Sequence, residues 1–284
     1  MLKKAPRGEM IDLGGRRLHV VRAGPRSDKP TIVLEHGAFG CASDWGVVQA
    51  RLAAKGLHSI AYDRAGLGLS DPGPQPRDGR ALNADLSAVL SAMGESGPFV
   101  LVGHSMGGLM VRLYALTHPA EALGVVLVDA VVPDVMASRQ GALAVRAYGR
   151  AMRWVGVGAR LGLMRPVAAV TGNMIGLEGE AAHEKRRIYG SGSHARWAAE
   201  EVGQWPATSD QAASSDYPPD LPIAVVTAGA EERTPWLKSM QVAPALASRH
   251  GYVDHVAGAG HASLLGRRFA DPIVRGVEHV LAAI

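Results

Sequence analysis

The chain has 284 residues, of which 47% are hydrophobic and 20% charged, so it can bury a large core and is not disordered. Its single cysteine, Cys41, excludes an internal disulfide framework and a metal site built from several cysteines. The formal net charge of +4 is too small to indicate a nucleic-acid partner. The apolar runs are shorter than the ~18 residues that a membrane-spanning helix needs. The first ten residues are basic but are not followed by the apolar run of a secretory signal. We therefore expect a cytoplasmic protein, monomeric or weakly dimeric, without nucleic acid and without stable membrane insertion.

Short apolar runs in the first half of the chain alternate with segments of helical spacing. Two such runs flank Gly14-Gly15, which predicts a β-hairpin. Nearly continuous apolar runs are typical of strands buried on both faces, and they cover residues 31–37, 58–63, 99–105 and 123–130. Helical spacing is found between them, at residues 45–54, 80–93 and 106–117. This alternation predicts an α/β fold with a doubly wound, mostly parallel sheet.

The alternation is interrupted in the second half of the chain. Residues 134–219 read as helices and loops without a clear strand, after which strand and helix patterns resume at residues 222–229, 236–248, 252–258 and up to 284. We therefore predict a core domain of residues 1–133 and 220–284 with a helical cap inserted at 134–219. The insertion leaves from the carboxyl end of a strand, where the ligand crevices of such sheets lie, so the cap is expected to cover a site.

The segment GHSMG at residues 103–107 fits the pattern G-x-S-x-G, directly after an apolar run and directly before a helical segment. A sharp strand-to-helix turn strains the backbone of its central residue and requires small neighbours, which Gly103 and Gly107 provide. Ser105 would then lie at a helix N-terminus, where the helix dipole favours negative charge. The pattern predicts that Ser105 is a nucleophile. The alternative is an ordinary turn in which the glycines only ease packing.

A second glycine-rich loop, HGAFG at residues 36–40, follows the first predicted parallel strand. In this position a loop can supply backbone N–H groups to a developing oxyanion. The candidate donors are the N–H groups of Ala38 and Met106, with Phe39 as the donor if the loop is set one residue differently. The alternative is a turn without a chemical role.

His261 is the candidate general base, because it follows the last predicted strand and precedes the last helix. The carboxylate that orients its ring is expected to be Glu232, the third residue after Gly229 in the loop that follows another strand. Asp129, at the end of a neighbouring strand, and Glu231 remain alternatives, since the order of residues along the chain does not separate them.

Six segments, in their order and spacing, resemble the α/β-hydrolase fold superfamily, in its serine-nucleophile, esterase- or lactonase-like branch with a helical cap. They are EHGAFG (35–40), YDRAGLGLSD (62–71), LVGHSMGG (101–108), VLVDA (126–130), TAGAEER (227–233) and GAGHA (258–262). The resemblance implies a triad of Ser105, His261 and an acid after a late strand, with the cap between the sixth and seventh strands. The family acid is most often aspartate, so Glu232 departs from the pattern.

The resemblance implies a hydrolase that cleaves a carboxylic ester, a lactone or a thioester of a small, mostly apolar substrate through an acyl-enzyme. Serine at position 105 disfavours the relatives with an aspartate nucleophile, the epoxide hydrolases and haloalkane dehalogenases. The alternatives are a hydrolase or lyase that cleaves carbon–carbon bonds of β-diketones, and a hydrolase-like binding protein with little turnover. No cofactor or metal is expected, since the sequence contains no phosphate-binding or dinucleotide fingerprint.

The predicted cap is rich in arginine and in apolar side chains. Residues 139–165 contain six arginines and no acidic residue. Phe39 of the core and Tyr148 and Trp154 of the cap are the candidate substrate-binding residues. Arg146, Arg150 and Arg153 recur at helical spacing and could form a basic rim that attracts anionic substrates or, more weakly, an anionic membrane surface. The alternative is a solvated face whose arginines pair with the acids at 178–201.

Overall fold

An eight-stranded sheet organises the chain in the computed structural model, which describes residues 6–171, 173–232 and 234–284. Its strands, in chain order, are β1 (Glu9–Asp12), β2 (Arg17–Ala23), β3 (Thr31–Glu35), β4 (Ser59–Tyr62), β5 (Phe99–His104), β6 (Ala122–Val128), β7 (Ile223–Ala228) and β8 (Gly251–Val256). Their spatial order is β1-β2-β4-β3-β5-β6-β7-β8. The contacts of β2 with β1 and β4 are antiparallel and all the others are parallel, which confirms the predicted sheet.

Eleven helices are found in the described residues. They are α1 (Gly46–Ala54), α2 (Gly79–Ala92), α3 (Gly107–Thr117), α4 (Pro133–Ala137), α5 (Arg139–Arg160), α6 (Met164–Thr171), α7 (Gly179–Tyr189), α8 (Gly192–Gly203), α9 (Trp205–Ala212), α10 (Pro235–Ala247) and α11 (Asp271–Ala282). Six of them, α4 to α9, follow one another between β6 and β7, and the described part of this stretch contains no strand. Among the described helices, none combines the length and the apolar content that a bilayer crossing requires.

The two faces of the sheet carry separate cores, because side chains of a strand alternate between faces. Along β3, Ile32 and Leu34 belong to the core on the side of α1 and α11, whereas Val33 belongs to the core on the side of α2, α3 and α10. All three side chains are completely buried. Burial on both faces explains why the central strands read as continuous apolar runs rather than as alternating patterns.

Buried ion pairs join helices α7 and α8 to the sheet domain. Arg64, in the loop after β4, donates to Glu35 at the end of β3 and to Glu201 of α8, with distances to the Glu201 oxygens of 2.5 and 2.8 Å. Burial by itself would lower the pKa of Arg64, but Glu201 and Glu35 outweigh it and raise that pKa. Lys185 of α7 pairs with Asp44 at 2.5 Å. These pairs fix α7 and α8 to the core.

Candidate active site

Ser105 occupies the turn between β5 and α3 and has a left-handed backbone, with φ of 55°. Its N–H donates to the Val128 carbonyl at 3.0 Å, and its carbonyl accepts from the N–H of Gly108 and of Val131 at 3.0 and 2.8 Å. A side chain at Gly103 would come within 2.5 Å of the Gly107 carbonyl oxygen. The strained turn therefore depends on backbone hydrogen bonds and on the absence of side chains at its ends.

A chain of two hydrogen bonds links Ser105, His261 and Asp129. The Nε2 atom of His261 lies 3.0 Å from Ser105 Oγ, and its Nδ1 lies 2.6 Å from Asp129 Oδ2. Because a carboxylate only accepts, Nδ1 carries the proton and Nε2 is free to accept from the serine hydroxyl. The arrangement is that of a nucleophile, a base and an orienting acid.

Asp129 directly follows β6 and has a left-handed backbone, with φ of 41°. Its second oxygen, Oδ1, accepts from the Ala228 N–H at 3.2 Å and from Gln241 Nε2 at 3.3 Å. Burial would raise the pKa of Asp129, but the hydrogen bond and the charge of His261 outweigh it, so the pKa lies below its usual value. The carboxylate facing His261 is therefore ionised. Gln241 gave no signal in the sequence.

The expectation that Glu232 orients His261 is corrected by this geometry. Glu231 and Glu232 are exposed in the loop after β7, and Glu232 makes no hydrogen bond or ion pair within the described part of the chain. The carboxylate on His261 is the alternative, Asp129. Strands β6 and β7 are parallel neighbours, so their carboxyl ends meet at the same edge and either could have supplied the acid.

The His104 ring lies beside the His261 ring. Its ring centroid is 4.7 Å from that of His261, and its Nε2–H donates to the His261 carbonyl at 3.1 Å. Burial and the charge of His261 lower the pKa of His104 to about 3. The ring is therefore neutral near neutral pH and holds the loop that carries His261.

The loop at residues 36–40 lies against Ser105. A Cβ atom at Gly37 would be 2.9 Å from Ser105 Cβ, and both Gly37 and Ala38 line the cavity above the serine. Within the described part of the chain, the N–H groups of Ala38 and Met106 donate to no other group. This is what an oxyanion hole requires, and both groups stay the predicted donors.

Side chains outside the loop fix its peptide groups. Arg64 donates to the His36 and Gly37 carbonyls at 2.7 and 3.0 Å. Because the C=O and N–H of a trans peptide point in opposite directions, the Gly37 carbonyl contact directs the Ala38 N–H away from Arg64. The Phe39 carbonyl accepts from Lys185 Nζ at 3.3 Å and from His194 Nε2 at 3.2 Å. These two residues belong to α7 and α8, so the inserted helices hold part of this loop.

We expect Gly37→Ala to lower kcat for a p-nitrophenyl ester by about 10²-fold, since a misplacement of about 1 Å at a reacting group can have this effect. The added methyl group would press on Ser105 Cβ and on His104 Nδ1, which would lie 3.1 Å away. Gly203→Ala in α8 is the matched control, because its Cβ would meet no atom within 4 Å. Equal turnover in the two variants would show that the loop does not abut the reacting group.

A cavity of about 570 Å³ opens above Ser105, between the sheet edge and helices α4, α5, α7 and α9. Most of its lining is apolar, including Val131, Val135, Met136, Val145, Tyr148 and Trp205. The Tyr148 ring stacks on Trp205 with centroids 5.4 Å apart, and burial raises the pKa of Tyr148 to about 12. No group of three or more His, Cys, Asp or Glu side chains among the described residues is placed to hold a metal ion.

Two of the three residues predicted to bind substrate do not line this cavity. Tyr148 does, whereas the Phe39 side chain packs among apolar residues of the inserted helices. Trp154 points away from the cavity and is 76% exposed. The expectations for Phe39 and Trp154 as cavity residues are corrected accordingly. Phe39 also has a left-handed backbone, with φ of 54°, and remains the second choice as an oxyanion donor.

Comparison with known proteins agrees with this architecture. A family model described as an alpha/beta hydrolase fold matches residues 30–267. A non-heme chloroperoxidase of Streptomyces lividans is 36% identical over 116 residues, which are 40% of this chain and 41% of that protein. The matches to the first curated relatives span 18% to 41% of those proteins.

Two solved structures extend the likeness to nearly the whole chain. An esterase of Thermogutta terrifontis has a TM-score of 0.69 and 19% identity and is covered over 98% of both chains. An enol-lactonase of Burkholderia xenovorans LB400 has a TM-score of 0.66 and 19% identity, with 96% of this chain and 100% of that one covered. At these identities the likeness concerns the fold.

Proposed function

Because the chain belongs to the α/β-hydrolase fold family, we propose that it hydrolyses a carboxylic ester, a lactone or a thioester through an acyl-enzyme on Ser105. The observation that carries the proposal is the hydrogen-bonded sequence of Ser105 Oγ, the His261 ring and the Asp129 carboxylate. An esterase and an enol-lactonase have the same fold, which supports acyl transfer as chemistry that this scaffold accommodates.

In the first half of the proposed reaction, Ser105 Oγ attacks the substrate carbonyl carbon while its proton passes to His261 Nε2. The carbonyl oxygen becomes an oxyanion that accepts hydrogen bonds from the Ala38 and Met106 N–H groups. Asp129 stabilises the imidazolium that forms. The tetrahedral intermediate then expels the alkoxide or thiolate, which takes the proton from His261 and leaves an ester on Ser105.

In the second half, His261 removes a proton from water, and the resulting hydroxide attacks the acyl carbon. The second tetrahedral intermediate expels Ser105 Oγ, which recovers its proton from His261, and the carboxylic acid is released. A cavity of about 570 Å³ with a mostly apolar lining fits a small, mostly apolar acyl or alcohol group.

The test is labelling with a fluorophosphonate, which phosphonylates an activated serine. We expect labelling of the wild type and none of Ser105→Ala, together with a fall in p-nitrophenyl ester turnover on the order of 10⁶-fold. Ser239→Ala is the matched control, because its exposed hydroxyl donates to the Trp236 carbonyl on α10. A wild type that is neither labelled nor active on esters would contradict the proposal. Cleavage of β-diketones alone would assign carbon–carbon hydrolysis instead.

A further inference from the structure

The outer side of helix α5 and the segment after it expose many large apolar side chains. We call this surface the cap face; its apolar members are Leu143, Trp154, Val157, Leu161, Leu163 and Met174. Trp154 is 76% exposed and Met174 is 68% exposed. With 3.6 residues per turn, the α5 members of this set fall within an arc of about 60°. These three side chains of α5 therefore form an interrupted apolar strip on the outward side of the helix.

The same face is strongly basic. Residues 135–177 contain six arginines and no acidic residue. Arg139, Arg146 and Arg150 lie within or directly beside the apolar strip, since helical spacing puts them in an arc of about 80° with it. Together with Arg160 they are exposed and make no ion pair within the described part of the chain. The side chains of Arg153 and Arg165 lie outside the described residues.

Pairing with the acids at 178–201 is not found for Arg139, Arg146, Arg150 and Arg160, the cap arginines whose side chains the structure describes. Three of those acids are bound by arginines of other segments: Glu178 by Arg267, Glu184 by Arg7 and Glu201 by Arg64. Within the described part of the chain, the charges of these four arginines are therefore not paired with a carboxylate.

We propose that the cap face docks the protein onto membrane surfaces that contain anionic lipids. Segments that lie on a bilayer interface combine buried Trp and Leu side chains with arginines that face anionic headgroups. On α5 both kinds of side chain point outward from the same side of the helix, so both can reach one lipid surface. Arginines near the surface are attracted to anionic headgroups, while the apolar side chains leave water. A second copy of the chain is a poor occupant, because a two-fold contact would place two basic faces against each other.

The cap face and the active-site cavity lie on opposite sides of helix α5. Val145 and Tyr148, on the inner side of α5, line the cavity, and Met174 belongs both to the cavity lining and to the exposed apolar set. An amphiphilic ester could pass from a lipid surface along Met174 towards Ser105. This assignment of an amphiphilic substrate rests on the proposed function, whereas docking itself does not.

The test is cosedimentation of the full chain with vesicles of phosphatidylcholine alone or mixed with phosphatidylglycerol. We expect binding to the mixed vesicles only, and its loss at high salt, because screening weakens attraction between exposed charges. The double variant Arg146→Gln, Arg150→Gln and the double variant Trp154→Ser, Leu161→Ser should each bind about tenfold more weakly. Leu246→Ser with Arg249→Gln is the matched control, with exposed residues on and after α10.

Failure of the wild type to bind mixed vesicles, or unchanged binding by both cap-face variants, would overturn docking. A dimer that the cap-face substitutions dissociate, without vesicle binding, would assign the face to a second copy instead. Fluorophosphonate labelling without lipid separates the two proposals. Labelling without vesicle binding contradicts docking alone, and vesicle binding without labelling contradicts the proposed function alone.

Discussion

Asp129→Asn is expected to lower kcat for ester hydrolysis by about 10⁴-fold, the effect of removing the orienting acid of a serine triad. An amide at this position can donate to His261 Nδ1 and so favour the tautomer whose Nε2 carries the proton. That tautomer cannot accept the Ser105 proton, and no negative charge remains to stabilise the imidazolium. The measurement is steady-state turnover of a p-nitrophenyl ester.

Glu232→Gln is the control, because the same isosteric loss of charge occurs in the neighbouring loop. It should leave kcat at the wild-type value, since Glu232 is exposed and has no hydrogen bond or ion pair within the described residues. If activity were lost in Glu232→Gln and kept in Asp129→Asn, Glu232 rather than Asp129 would be the carboxylate that orients His261. The hydrogen bond from His261 to Asp129 would then have no catalytic part.

Arg64→Met should destabilise the protein by about 3–5 kcal/mol, because it leaves buried carboxylates without their partner. Glu35 and Glu201 are both almost fully buried and both bind Arg64. For a chain of this length the loss corresponds to a fall in Tm of about 10 °C. Thermal unfolding followed by circular dichroism measures it.

Two further variants test this prediction: one is a control and the other should restore stability. Arg249→Met should leave Tm nearly unchanged, since the pair of Arg249 with Asp220 is exposed and such pairs contribute little. Adding Glu201→Gln to Arg64→Met should restore part of the lost stability, because one of the two unpaired charges is removed. A single variant as stable as the wild type would show that the inserted helices do not depend on this buried cluster.

The sheet could be predicted from the sequence because central parallel strands are apolar on both faces. Each predicted strand was found at the expected place, with boundaries that differ by a few residues. The turn at Ser105 could also be predicted, because its sequence pattern is local. It needs glycines at fixed spacing between a strand and a helix, so its local pattern already contains the constraint.

The acid could not be chosen from the sequence, since Asp129 and Glu232 both follow strands that end at one edge of the sheet. The choice depends on where the His261 loop lies and on the donors around Asp129. Those donors are the Ala228 N–H and Gln241, 99 and 112 positions away along the chain. Contacts across such separations leave no periodic signal.

The substrate-binding residues of the inserted helices were only partly predictable for a different reason. Helix α5 is apolar on both sides, so its pattern does not tell which side faces the cavity. Tyr148 lies inside and Trp154 outside, although the two are six residues apart. Lys185 and His194 were missed because their importance lies in reaching the Phe39 carbonyl from another part of the chain.

The position of the acid at the end of β6 has a consequence for how this protein could diversify. In the proposed mechanism the nucleophile, the acid and the base come from the ends of β5 and β6 and from the loop after β8, so the connection from β7 to α10 takes no part in proton transfer. Residues 230–232 are exposed there. Evolution or a protein engineer can therefore lengthen or replace that short connection to reshape access near Trp236, while the proton relay is left intact.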